Sequence, residues 1–149
     1  SSDKTNVRFA SEVRSLVGSL GLGERVFETG FLDPPEVSAH LLAGDVCVLP
    51  YRDGASFRRG SLMAALEHGL CLVSTRPAEA DLVDGENCRL VPPSSPQSLA
   101  VVLDELADDQ VARRRLGLEA GKLAKRFGWP AIAEKHLNLY LEALEEKVG

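Results

Sequence analysis

The sequence predicts an α/β fold, a Rossmann-like parallel sheet flanked by helices. Short valine-bearing apolar runs alternate with segments of helical period. Two of those runs, Asp45-Val46-Cys47-Val48-Leu49 and Leu70-Cys71-Leu72-Val73-Ser74, are almost continuously apolar. That is the pattern of parallel strands covered on both faces. Glycines and prolines stand where one kind of segment gives way to the other. Alternation of this kind builds a parallel sheet with helices packed against it.

Each element follows in order. Val7 to Leu20 reads as a helix with Phe9, Val13, Leu16, Val17 and Leu20 on one stripe, stopped by Gly21 and Gly23. Val26-Phe27-Glu28-Thr29 reads as a first strand. A short helix, Pro35 to Leu42, opens at a proline pair. The strand Asp45–Leu49 leads through a loop into a helix over Ser61–His68, which Gly69 ends, and then into the strand Leu70–Ser74. Asp84-Gly85-Glu86-Asn87 is a tight turn before a fourth strand, Arg89–Val91. Pro92-Pro93-Ser94-Ser95-Pro96 is a rigid loop. Three helices close the chain. Gln97–Ala107 turns Leu99, Val102, Leu103 and Leu106 inward, and Gln110–Phe127 turns in Leu116, Leu123 and Phe127. Pro130–Glu146 has a proline suited to its first turn and Ile132, Leu137, Tyr140, Leu141 and Leu144 inward. Trp129 reads as a packing anchor. Four strands are few for a doubly wound sheet, and the chain opens directly on a helix. Residues 1–149 are therefore expected to be one domain of a larger protein.

Composition narrows the functional classes. The 149 residues suffice for a buried core, and 44% hydrophobic with 26% charged residues excludes a disordered chain. A net charge of -5 argues against broad binding to nucleic acid or anionic membranes. No apolar run approaches the ~20 residues of an integral membrane segment, and Ser1 to Phe9 lacks the apolar stretch of a signal peptide. Cys47, Cys71 and Cys88 are too few and too scattered for a zinc or disulfide framework. They read as small core hydrophobes in a reducing, cytoplasmic setting. His40, His68 and His136 have no metal-ligand partner at useful spacing, so no metal site is expected. No serine, cysteine or aspartate carries a nucleophile signature.

Chemistry is expected beyond the carboxyl ends of the strands, where open parallel sheets bind ligands. There the chain reads Pro50-Tyr51-Arg52-Asp53-Gly54-Ala55-Ser56-Phe57-Arg58-Arg59-Gly60-Ser61 and enters a helix. A helix N-terminus offers free amides and a partial positive charge. Arg58 and Arg59 crowd that end, an arrangement that a bound diphosphate relieves. Gly60 permits close approach to the backbone, and Ser61 supplies a hydroxyl or a cap. The pattern supports equally well a pair of ordinary surface arginines bonded to Asp53 or other acids. Asp53-Gly54 by itself is a turn, and Glu86 is read as part of its own turn.

An ordered set of segments adds a resemblance. Thr29-Gly30-Phe31-Leu32, Ala43 through Pro50, Ser61 through Thr75, Asp84-Gly85-Glu86-Asn87 with Leu90-Val91-Pro92, and Phe127-Gly128-Trp129 leading to Tyr140 occur in that order. The set resembles the C-terminal, donor-binding domain of group 1 glycosyltransferases, the family-four type with the GT-B fold. The resemblance implies half of a two-domain enzyme, with the first one or two strands of the domain and the acceptor-binding N-terminal domain missing. It implies a nucleotide-diphosphate sugar as donor, transfer with retention, and no metal or other cofactor. In that reading Arg58 and Arg59 stabilise the departing diphosphate. Asp53, Gly54, Ser56, Gly60 and Ser61 line the donor loop, and Gly30, Phe31 and Leu32 line the base pocket. This chain departs from the family at its two usual glutamates, whose positions hold Ser56 and Ala64. The family's Arg and Lys pair for the diphosphate belongs to an earlier segment that this chain lacks. The isolated chain is expected to be inactive. The alternatives are a degenerate, non-catalytic binding module of the same fold and a nucleotide-sugar epimerase.

Overall fold

The computed structural model describes residues 4–77 and 81–145, which fall into two compact units, one up to Asp33 and one from Pro34. In the first, α1 (Lys4–Ser19) ends in a Schellman turn. Gly21 takes φ +66°, and the amide of Leu22 donates to the carbonyl of Val17 at 3.0 Å. The expected strand at Val26–Thr29 is not formed, because an extended run becomes a strand only where a neighbour takes its N–H and C=O groups. No described strand pairs with it, and the ring of Phe27 stands in solvent.

The second unit runs α2 (Pro34–Ala43), β1 (Cys47–Leu49), α3 (Gly60–Glu67), β2 (Leu72–Thr75), β3 (Arg89–Val91), α4 (Pro96–Asp108), α5 (Gln110–Ala124), a 3-10 turn (Lys125–Phe127) and α6 (Trp129–Glu145). The end expected at Glu146 lies outside the described residues. The sheet is parallel in the order β1-β2-β3, with Val48 opposite Val73 and Ser74 opposite Leu90.

Both faces of the sheet are covered, as the unbroken apolar runs predict. On one face Leu72 and Cys88 pack with Leu62, Ala65 and Leu66 of α3 and with Ala120 and Leu123 of α5. On the other, Cys71, Val73 and Val91 pack with Val102 and Leu106 of α4 and with Leu116 of α5. Asp109 caps α5 by accepting the amide of Ala112 at 2.8 Å. The stripe on α6 is a different matter. Leu137, Tyr140, Leu141 and Leu144 are at least half exposed, and Trp129, expected as an anchor, is 84% exposed. In the first unit Phe9, Val13 and Leu16 of α1, and Leu20 just after it, are likewise exposed. Periodicity marks a face that can be buried, and these side chains keep much of their surface open.

Candidate functional site

The loop after β1 is held at the carboxyl edge of the sheet by three contacts. Thr75 Oγ1 donates to the carbonyl of Tyr51 at 2.7 Å, and Ser74 Oγ to that of Leu49 at 2.7 Å. Ala55 N donates to Thr75 O at 3.3 Å. Gly54 turns the chain with φ +87°, and a Cβ there would lie 2.6 Å from the carbonyl oxygen of Arg76. Only glycine fits so close beneath the end of β2. Gly54 is buried, so it shapes the loop from within.

Ser56 begins a turn that delivers the chain to α3. Its carbonyl accepts from Arg59 N at 3.0 Å, and its hydroxyl accepts from Arg58 N at 3.4 Å. Arg59 is the N-cap residue of α3, in extended conformation and with no side-chain cap. Arg58 and Arg59 therefore stand where the sequence placed them. Gly60 and Ser61 form the first turn, and a Cβ added at Gly60 would meet nothing within 4 Å. The head of the helix is open, its first amides lacking intrahelical acceptors.

The two arginines differ. The side chain of Arg58 is exposed and makes no hydrogen bond or ion pair with a described residue. Arg59 is clasped by the Asp53 carboxylate and lies over the ring of Tyr51, 4.2 Å from its centroid. Its Nε is buried without a partner. Ser61 does not cap the helix, since its hydroxyl is 2.7 Å from Tyr51 Oη.

Residues that the sequence reading passed over belong to the same edge. Tyr51 touches both Arg59 and Ser61. Arg76, immediately after β2, is exposed with no described partner for its side chain. Arg52 lines a cleft of about 390 Å³ with Pro50, Thr75, Val91, Pro92 and Leu99, at the ends of all three strands. Their position within a few residues of a strand's carboxyl end was the available signal.

Ala64, at one of the two glutamate positions, lies half-buried on α3, and its carbonyl accepts from His68. His68 caps α3 and bonds Ser38 of α2 at 2.9 Å, a structural placement. Gly30, Phe31 and Leu32 belong to the first unit, where Gly30 takes φ +66° and Phe31 is 95% exposed. All three cysteines are free thiols, Cys71 and Cys88 buried and Cys47 half-buried. Among the described residues no three potential metal ligands cluster, and no helix is long and apolar enough to cross a membrane.

Comparison with known proteins agrees with this architecture. The sequence model of the glycosyl transferases group 1 family matches residues 4–109. A D-inositol 3-phosphate glycosyltransferase of Kineococcus radiotolerans is 31% identical over 147 residues, covering 90% of this chain and 33% of that protein. The enzyme of that name from Corynebacterium diphtheriae is 35% identical over 134 residues, covering 86% and 30%. This chain thus spans about a third of the length of these curated relatives. Among solved structures, the C-terminal domain of a group 1 family glycosyl transferase from Francisella tularensis superposes with a TM-score of 0.72 at 25% identity, covering 83% of this chain and 64% of that one. The Anabaena protein HepE in complex with UDP superposes with a TM-score of 0.81 at 21% identity, covering 94% and 38%. Family match and fold agree: the chain belongs to the group 1 glycosyltransferases.

Proposed function

We propose that this chain is the donor-binding part of a two-domain glycosyltransferase that holds a nucleotide-diphosphate sugar at the carboxyl edge of its sheet. The observation that carries the reading is the head of α3. Open backbone amides, the guanidinium of Arg58 with no partner among the described residues, the fixed guanidinium of Arg59 and the hydroxyl of Ser61 stand together there, beside a residue without a side chain. Transfer breaks the bond between the sugar and the diphosphate, and negative charge grows on the departing group. Fixed dipoles and guanidinium groups aimed at that charge lower the barrier without rearranging. Such a site works without a metal, and retention of configuration follows the family resemblance. The acceptor would come from a domain outside this chain. The structures of HepE contain UDP and UDP-glucose, which favours a uridine nucleotide as the first ligand to try.

The serine and alanine at the two glutamate positions favour a second reading, a binding module of the same fold that has lost catalysis. Calorimetric titration with UDP, ADP and GDP tests the first step common to both. One of them should bind, and Arg58→Ala with Arg59→Ala should weaken it by about tenfold or more, as expected for charge-assisted bonds to phosphate. Binding unchanged in that double variant would remove the head of α3 from the site. Glycosyl transfer by the full-length protein, or its absence when the donor binds, separates the enzyme from the degenerate module.

A further inference from the structure

Tyr51 joins the two polar groups assigned above to phosphate. Its hydroxyl lies 2.7 Å from Ser61 Oγ, and its ring lies beneath the Arg59 guanidinium at 4.2 Å. Its own backbone is fixed twice, its amide donating to Leu49 O at 3.0 Å and its carbonyl accepting from Thr75 Oγ1 at 2.7 Å. The Asp53 carboxylate also holds Arg59. Two contacts place this guanidinium: hydrogen bonds from its terminal Nη2 to the Asp53 carboxylate, and the ring face of Tyr51. Its buried Nε has no acceptor among the described residues, so it does not compete with them.

We infer that Tyr51 is a positioning residue of the donor site, fixing Arg59 through its ring and Ser61 through its hydroxyl so that both meet the two phosphates of a nucleoside diphosphate. The inference rests on the donor-site reading. It makes Tyr51 a determinant of selectivity: a diphosphate engages both groups, whereas a monophosphate engages one and gains less from their spacing.

Titration of the full chain with UDP and with UMP tests it. Tyr51→Leu removes ring and hydroxyl, and should weaken UDP by about tenfold and UMP by less than about threefold, so that the preference for the diphosphate shrinks. Tyr51→Phe keeps the ring, and should restore most of the loss. Tyr51→Phe also guards against failure of the leucine variant to fold, and Ser61→Ala, which removes the phosphate-facing hydroxyl itself, should lose more than Tyr51→Phe. In an Arg59→Ala background, Tyr51→Leu should retain only the small loss seen with Tyr51→Phe. A UDP-to-UMP preference in Tyr51→Leu and Ser61→Ala equal to that of the unmodified chain, or losses in Tyr51→Leu and Arg59→Ala that simply add, would overturn the inference alone. No binding of UDP, ADP or GDP by the unmodified chain would overturn the donor-site reading and this inference with it.

Discussion

Arg58 and Arg59 are adjacent in sequence and equal in charge, yet the fold gives them different work. The side chain of Arg58 is exposed and has no partner among the described residues. Arg59 is partnered by Asp53, whose side chain is 74% exposed, so the pair itself adds little stability, about 0.2–1 kcal/mol. Its value is in holding a direction. The two arginines were legible in the sequence, as was Asp53 as a possible partner. Tyr51 was legible only as a residue near a strand's carboxyl end, because its contacts with Arg59 and Ser61 form only when the chain folds back from Ser56 to Gly60. Cys88 shows the opposite case, a residue whose apolar role the sequence made plain. It is fully buried, and loss of solvent around the thiolate, aided by the charge of Asp84, pushes its thiol up to about 12 from an ordinary 9.0. A raised value means that the folded chain holds this proton more tightly than the unfolded chain. The resulting stabilisation is complete below about pH 9 and is lost as pH rises from about 9 toward 12. The melting temperature should therefore fall through that range more steeply in the native chain than in Cys88→Ala. Equal slopes would mean that Cys88 is already solvated in the folded state.

Between elements, α5 crosses close over the turn from α3 to β2. Gly69 ends α3 at φ +61°, and a Cβ on Gly117 would lie 2.3 Å from its carbonyl oxygen. Gly117 thus lets α5 lie directly on the backbone of that turn. Gly121, one turn along, has only ordinary room, its added Cβ 3.7 Å from Gly69 Cα. Gly117→Ala should cost about 1–3 kcal/mol net, because forcing α5 outward outweighs alanine's better helix propensity. Gly121→Ala should instead be neutral or stabilising by up to about 1 kcal/mol. Denaturant unfolding of both variants checks the contrast, and equal stabilities would contradict this packing. The helix-ending role of Gly69 was readable from sequence. The need for Gly117 was not, because a mid-helix glycine looks merely tolerated until a second backbone is found against it.

At the scale of the whole molecule, apolar stripes remain uncovered. Leu137 and Leu141 of α6 are 57% and 50% exposed. Substituting both by lysine should therefore change stability by less than about 1 kcal/mol, a shift in melting temperature of no more than about 4 °C. A larger fall would show these leucines to be covered in solution. The candidate site lies elsewhere, at an edge that the topology dictates. Parallel strands all end on the same side, so the loops after β1, β2 and β3 collect there and bring Arg52, Arg58, Arg59 and Arg76 to one edge.

By itself the sequence determined the fold class, the order of helices and of three strands, both covered faces of the sheet, and the helix start at which the two arginines stand. Those features follow from local periodicity, capping and chain order, which act over a few residues. It also determined the family, through an ordered set of segments rather than any single motif. Tertiary structure alone decided that Val26–Thr29 is not a strand, that the stripes of α1 and α6 stay exposed, and that Tyr51 and Asp53 fix Arg59. Each of these depends on whether a distant group arrives to pair or pack, and spacing along the chain does not encode that arrival.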